Sequence, residues 1–339
     1  MIAVIVINFN KALDTIECLE SLLRSERDDL MVFLLDNGSA ESDVTLLTDF
    51  SLNHNTVELI LNPENLGFAG GNNKVLDLIL KRYDVKYVLF LNNDTAVEKG
   101  FLDTMLMRID RTTGTEMIAA RLMKYIDHET VDSLGITLYK SGLASNRKDQ
   151  SAPLLGPTGA CALFTRELLE NIKAKTGDFF DPDFFCYAED TDLALRALLL
   201  GYCPAYVDTA VVYHKGSLST GGKHNDFILY YGIRNSLYTL VKNVPVSLLI
   251  RYSPWILLMQ IGIVLKYARK AKLRIVGRIY RDFLANLPKM LKKRNRIRAH
   301  CIVSAAQLNR YIGNSFYEKD YTRNALLELV WPRASQNQG

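Results

Sequence analysis

Three groups of side chains in this sequence have types and spacings that could do chemistry. The apolar run Leu89-Phe90-Leu91 stops abruptly in Asn92-Asn93-Asp94, so a buried strand would deliver two amides and a carboxylate at its carboxyl end. The hard oxygens of Asp94 suit a metal ion, although Asn93-Asp94 also suits a plain turn after a strand. A hundred residues on, the aromatic stretch Phe184-Phe185-Cys186-Tyr187 runs into Glu189-Asp190-Thr191-Asp192. A hydrophobic wall beside a carboxylate raises its pKa and fits it for proton transfer. Acids at the amino end of a helix are also favoured by the dipole alone, so capping is the competing account. His214 ends a β-rich run over 205–213 and is either an ordinary hydrogen-bonded residue or, if that strand returns to the same crevice, a partner for Asp94.

The elements that must position these groups follow from hydrophobic periodicity. Continuous apolar runs over 2–7, 31–35, 57–61 and 87–91 read as strands covered on both faces. Helical spacing follows the first three, with Asp14-Thr15 able to cap or charge the start of the first helix and the helix after the third strand running to about Arg82. Strand, polar turn and helix alternate in this way through about the first hundred residues, the pattern of a parallel, doubly wound α/β sheet. Polar residues gather where such strands end: Asn8-Phe9-Asn10, Asp36-Asn37-Gly38-Ser39, the turn Asn62 to Asn73, and Asn92-Asn93-Asp94. Ligands of open α/β sheets bind in that crevice.

In the third turn Gly67, Gly70 and Gly71 allow close backbone approach to a ligand, and the next helix offers its amino end to a phosphate; a turn without a ligand fits equally. These glycines do not make G-x-G-x-x-G, and no G-x-x-x-x-G-K-[ST] occurs, which removes the main support for a dinucleotide oxidoreductase or a P-loop ATPase. Downstream, Thr158-Gly159-Ala160 is a small-residue turn with room for a sugar ring or only for close packing, and Leu193, Ala197 and Leu200 share a helix face that Gly201 closes.

The chain has 339 residues, enough for a large domain with an appendage. Its formal charge of +4 hides an asymmetry: residues 1–225 carry 21 Lys+Arg against 32 Asp+Glu, and residues 226–339 carry 20 against 5. The tail, not the body, is the part that seeks an anionic partner. Five scattered cysteines without a C-x-x-C pair favour reduced thiols and a cytoplasmic setting. The apolar start has no basic n-region and reads as a first strand, not a signal peptide.

In this order Asn8-Phe9-Asn10, Asp36-Asn37-Gly38-Ser39, Asn62-x-x-Asn65-x-Gly67-x-x-Gly70-Gly71-Asn72, Asn92-Asn93-Asp94, Gly159-Ala160, Glu189-Asp190-x-Asp192-Leu193 and His214 resemble the inverting GT-A glycosyltransferases of family 2, especially the bacterial rhamnosyltransferase-like branch. The resemblance covers residues 1–240. It implies a mixed, mainly parallel sheet flanked by helices, with 241–339 as a helical C-terminal extension. It also implies a donor site in which Asn8 and Asn10 lie near the nucleoside, Asp36 accepts a bond from its base, and Gly67, Gly70, Asn72, Asn92 and Asn93 line the rest. Asp94 would hold Mg2+ or Mn2+ against the diphosphate, with His214 a second metal ligand. Asn92 stands where the family's D-x-D motif has its first acid, leaving one carboxylate in that motif. Asp190 would be the catalytic base, and Gly159, Ala160 and Glu189 would border the sugar and acceptor. The implied reaction is transfer of a sugar, L-rhamnose from dTDP-L-rhamnose being the best-matching donor, to a lipid-linked or oligosaccharide acceptor in surface polysaccharide synthesis such as O-antigen or capsule.

The chemistry asks for these types independently, since inversion by one in-line displacement needs a base and a means of stabilising the departing diphosphate. A glycoside hydrolase would need two carboxylates flanking one bond and no diphosphate crevice. A sugar nucleotidyltransferase is the alternative enzyme, but it would want a basic glycine-rich loop where Asn8-Phe9-Asn10 stands; a non-catalytic binding protein keeping the fold is the other alternative. In the tail, the stretch 243–265 has Arg251 as its one charge and is divided by Pro245 and Pro254, which favours a segment lying on the bilayer over one that spans it. The cationic residues from Lys266 to Arg298 suit anionic headgroups at the inner face of the cell membrane in preference to nucleic acid, with packing on the body as the other reading.

Overall fold

A computed structural model describes residues 1–25, 27–216 and 225–318. The opening strands β1 (Ile2–Asn8), β2 (Leu30–Asn37), β3 (Val57–Asn62) and β4 (Tyr87–Leu91) alternate with helices α1 (Ala12–Leu23), α2 (Glu41–Leu52) and α3 (Gly67–Arg82). They pair in parallel in the order β3-β2-β1-β4, the doubly wound pattern expected from the sequence. Side chains alternate along β1: Ala3 and Ile5 face one core with Phe33, Phe90 and Leu76, and Ile2, Val4 and Val6 face the other with Leu19, Leu22 and Leu47. Both faces are covered, which is why these strands read as unbroken apolar runs.

Beyond β4 the sheet becomes mixed. After β5 (Thr95–Val97) and α4 (Phe101–Met107) come β6 (Thr115–Lys124), β7 (Val131–Ser133), β8 (Ile136–Tyr139), β9 (Ala144–Asn146), β10 (Cys161–Thr165), α5 (Arg166–Thr176), α6 (Glu189–Leu199) and β11 (Cys203–His214). The large sheet continues β4-β10-β6-β11-β5, with β10 antiparallel to both neighbours and β11 parallel to β6. Gly201 closes α6 at φ +94°, as its position predicts. Thr15 does not cap α1: it lies inside the first turn and bonds Lys11 and Asn8, while the Ala12 N–H donates to Asp43 at 2.6 Å.

The C-terminal region is helical, as expected: α7 (Asp226–Asn243), α8 (Val246–Arg269), α9 (Leu273–Ala299) and α10 (Ala305–Leu308), closed by β12 (Ile312–Gly313), which pairs with β8. The expected domain 241–339 begins inside α7 and ends outside the described residues. Two expectations are corrected here. Pro254 does not divide the apolar stretch, because α8 runs through it unbroken. A proline withholds one N–H from the helix ladder, and the Ser253 hydroxyl donates to the freed Ile250 carbonyl at 2.9 Å. The basic tail is also not wholly directed outward. Lys293 pairs with Asp181 and Asp183, Lys289 with Asp183 at 2.5 Å and Lys242 with Asp181 at 2.6 Å, so part of its charge is neutralised on the body.

Candidate functional site

Register brings the polar strand ends together. Asn8 stands beside Asp36, and Asn37 beside Asn62, at the carboxyl edge of the parallel strands. Antiparallel pairing of Cys161 with Leu91 sets the Gly159-Ala160 turn next to Asn92, whose N–H donates to the Ala160 carbonyl at 3.0 Å. His214 pairs across β11 and β5 with Thr95, one residue from Asp94. Of these ends, Asn37, Asn92, Asn93 and Asp94 line a cavity of about 590 Å³ together with Asn72, the backbone of Gly67, and the aromatic residues Phe9, Phe68, Phe185, Tyr187 and Phe227, whereas Asp36, Ala160, Asp190 and His214 lie outside that lining. A larger, more open cavity of about 880 Å³ lies at the amino end of β4 around Lys86 and Tyr87 and contains none of the candidate residues.

Asp94 is nearly buried, with Oδ1 3.3 Å from His214 Nε2. The other ring nitrogen, Nδ1, lies 2.8 Å from Asp132 Oδ2. Burial would lower the pKa of His214, but the two carboxylates outweigh it and raise it from 6.5 to about 9. Among the described residues no group of three His, Cys, Asp or Glu converges on one point where an ion could sit. Asp132 cannot share an ion with Asp94, because it occupies the opposite edge of the imidazole. The donor set is therefore one carboxylate and one imidazole nitrogen. That suits a divalent ion completed by diphosphate oxygens, the manner in which Mg2+ is commonly held.

Asp190 opens α6 and is partly buried. Its Oδ2 accepts the Gly159 N–H at 3.0 Å, and Oδ1 accepts the Thr191 N–H at 2.6 Å and hydroxyl at 3.2 Å. Burial raises its pKa, and these hydrogen bonds hold the rise back. Glu189, next to it, is buried, with Oε2 lacking a hydrogen-bond partner among the described residues; burial, with Asp190 adding to it, lifts its pKa well above the ordinary range. The segment before α6 is strained: Phe185, Tyr187 and Ala188 all have φ between 64° and 67°. It is held by Asn235 of α7, whose side-chain NH2 reaches the carbonyls of Phe184, Cys186 and Tyr187, each at 2.8 Å.

A family model described as "Glycosyl transferase family 2" matches residues 3–173, just over half of the chain. The chain belongs to glycosyl transferase family 2. A curated relative, glycosyltransferase GlyG of Streptococcus pneumoniae serotype 4, is 20% identical over 195 residues, which are 54% of this chain and 62% of the relative. The chain thus spans about three fifths of the length of that relative. Solved structures with similar folds include mannosyltransferase PcManGT from Pyrobaculum calidifontis in complex with GDP-Man and Mn2+, at TM-score 0.50 and 18% identity over 98% of this chain and 81% of that one. GalNAc-T7 with UDP, GalNAc and Mn2+ aligns at TM-score 0.58 and 13% identity over 76% and 50%. S. aureus TarS 1–349 in complex with UDP aligns at 0.50 and 16% over 84% and 91%. The fold is the GT-A arrangement expected from the sequence, a mixed sheet flanked by helices with C-terminal helices added.

The family match includes Asp94 and Gly159 and stops before Asp190 and His214. The place of those two in this family 2 glycosyltransferase therefore rests on geometry. Gly67, Asn72, Asn92, Asn93 and Asp94 line the crevice, while Gly159 and Ala160 bridge Asn92 to Asp190. Asn10 sits exposed at φ 54°, its side-chain Oδ1 accepting the Ala40 N–H at 2.9 Å. Two expectations are corrected, at Asn8 and Gly70. Asn8 is fully buried with its amide occupied by Asp36, Ser39 and Thr15, so it orients Asp36 instead of lying open beside a ligand. Gly67 keeps its expected place in the lining, and the space a side chain would fill there is taken by Phe185. Gly70 lies against Leu66 of its own turn, away from the cavity. The sequence reading missed Asp132 and Asn235, each more than 45 residues from the groups it touches.

Proposed function

We propose that this family 2 glycosyltransferase transfers a sugar, with inversion, from a nucleoside diphosphate donor to a hydroxyl of a glycan acceptor. The observation that carries it is the Gly159-Ala160 turn. It ties Asn92, two residues before Asp94 in the crevice lining, to Asp190 just behind that lining, so an anion-binding end and a basic end stand on one turn. Asp190, its pKa raised by burial, accepts the proton of the acceptor hydroxyl as that oxygen forms its bond to the anomeric carbon. The bond from that carbon to the phosphate oxygen breaks on the opposite side, and the diphosphate departs with the electron pair. Asp94 and His214 would hold Mg2+ or Mn2+, which neutralises the charge growing on the diphosphate. The aromatic wall of Phe9, Phe185, Tyr187 and Phe227 offers flat apolar surfaces for a sugar or base and excludes water.

Similar folds solved with GDP-Man and Mn2+, or with UDP, support a nucleotide-sugar donor and a divalent ion. The motif set favours L-rhamnose from dTDP-L-rhamnose, and a lipid-linked glycan of the bacterial surface as acceptor, with the enzyme at the cytoplasmic membrane. The test is a panel of nucleotide sugars with Mg2+ or Mn2+, reading donor turnover and thermal shift for the wild type and Asp190→Asn. The wild type should turn over one donor, with an acid limb of its pH profile above the ordinary carboxylate range. Asp190→Asn should lose about 10²–10⁴-fold in turnover while keeping the thermal shift. Unchanged turnover in Asp190→Asn would refute the assigned base.

A further inference from the structure

Among the described residues, the longest apolar helix, α8, is covered on one side only. Along α8, Leu248, Tyr252, Met259 and Ile263 are buried on the body, and the Tyr252 hydroxyl donates to Asn309 at 2.6 Å. Gln260 accepts from the Tyr280 hydroxyl at 2.9 Å, tying the same side to α9. On the other side Val246, Ile250, Leu257, Leu258, Ile261 and Leu265 are 49–69% exposed. They recur at helical spacing over 19 residues, an apolar stripe about 29 Å long at 1.5 Å per residue. Trp255, 45% exposed, stands at its edge.

The charge around the stripe points to its occupant. From residue 243 to 281 the chain carries eight Lys+Arg and no Asp or Glu. Lys272 pairs with Asp226, and Arg278 and Arg281 with Asp282; Arg251, Arg269 and Arg274 are exposed. An apolar helix face bordered by cations and an indole fits the boundary between the headgroups and acyl chains of an anionic bilayer. α8 is long and apolar enough to cross a membrane by length and composition. Its bonds to Asn309 and Tyr280 keep it alongside the body, which is the posture of a helix lying in the interface.

We propose that the solvent-facing side of α8 is a docking surface for an anionic lipid bilayer. The carboxyl end of α8 leads into Lys272, which pairs with Asp226 at the start of α7, beside Asn225 and Phe227 of the crevice. The crevice thus lies close to the carboxyl end of the docking helix. The inference goes beyond the transfer reaction, and its test needs no substrate.

The full chain is sedimented with vesicles of phosphatidylglycerol and phosphatidylcholine, or of phosphatidylcholine alone, at low and high salt. It is expected to bind the anionic vesicles and to release as salt rises. Leu257→Glu with Ile261→Glu, at exposed positions that leave the packed side untouched, should weaken binding at least tenfold. Leu52→Glu, at a 76% exposed position on α2, should leave binding unchanged. Failure of the full chain to bind anionic vesicles overturns the proposal, as does wild-type binding by the double variant. A dimer in sedimentation velocity that the double variant dissociates, without vesicle affinity in either protein, assigns the stripe to a second copy and also overturns it.

Discussion

His214 has its two ring nitrogens on different carboxylates, and that division of labour underlies the proposed metal site. Nε2 faces Asp94, and Nδ1 faces Asp132. An Nδ1–H bond to a carboxylate fixes the ring orientation and leaves Nε2 free to ligate. Asp132 is accordingly a positioning residue that never touches the ion. Asp132→Asn should weaken Mn2+ binding roughly 10–100-fold, the usual effect of removing an outer partner. Mn2+ titration calorimetry in the presence of the nucleoside diphosphate giving the largest thermal shift measures this, and an unaltered Mn2+ affinity would show the contact to be idle. That Asp94, Asp190 and His214 stand at strand and helix ends was legible in the sequence, because apolar runs and helical periodicity start or stop beside them. Asp132 was not. It lies on β7, a three-residue strand with no periodicity to read, and its partner is 82 positions away. Gly67 was legible as a position needing glycine, but that Phe185 and not a ligand fills the space is a fact of folding across more than a hundred residues.

At the scale of elements, α6 carries Asp190, the proposed base, and α7 fixes where α6 begins. Three left-handed residues precede Glu189, and each such non-glycine conformation costs of order 1–3 kcal/mol. The Asn235 NH2 has two hydrogens shared among three carbonyls, and its side chain is fully buried. Removing it strands buried acceptors, at about 1–3 kcal/mol each for those water cannot reach, and lets the 185–188 segment relax. Asn235→Ala should lower turnover at least tenfold while nucleotide affinity, which rests on the strand ends, changes little. Steady-state kinetics with calorimetry separates the two, and a parallel fall in both would place Asn235 in the donor site instead. The parallel half of the sheet was readable because two-sided burial leaves uninterrupted apolar runs. The stretch from 110 to 160 was not, since β7, β8 and β9 have three or four residues each, too short for a period to show. α8 was misjudged at Pro254 because a local rule for helix breaking does not foresee a neighbouring serine that satisfies the freed carbonyl.

Over the whole molecule, an acidic body and a basic tail are fastened at one buried junction. Asp181 accepts from Lys242 and Lys293, and Lys242 also pairs with Asp192 at 2.7 Å. Asp192 in turn holds Arg196 at 2.9 Å, so the junction reaches the core side of the helix that carries Asp190. Burial would raise the pKa of Asp181, but the two ammonium groups prevail and hold it well below its ordinary 3.8. A carboxyl whose folded pKa is depressed contributes stability above its unfolded pKa and loses it as pH falls through the folded value. Asp181 therefore supports the fold in full from neutral pH down to about 4–5, and its contribution fades below that range. Asp181→Asn leaves Lys242 and Lys293 without that charge in a buried setting, which should cost about 3–5 kcal/mol at pH 7. The gap between variant and wild type should persist at pH 5 and narrow by pH 3, where Asp181 takes up a proton in the unfolded wild type but not in the folded one. Urea unfolding at the three pH values gives the comparison. A gap that stays constant to pH 3 would mean the junction acts through packing and not through charge, and that α7 and α9 are held to the body by their apolar contacts alone.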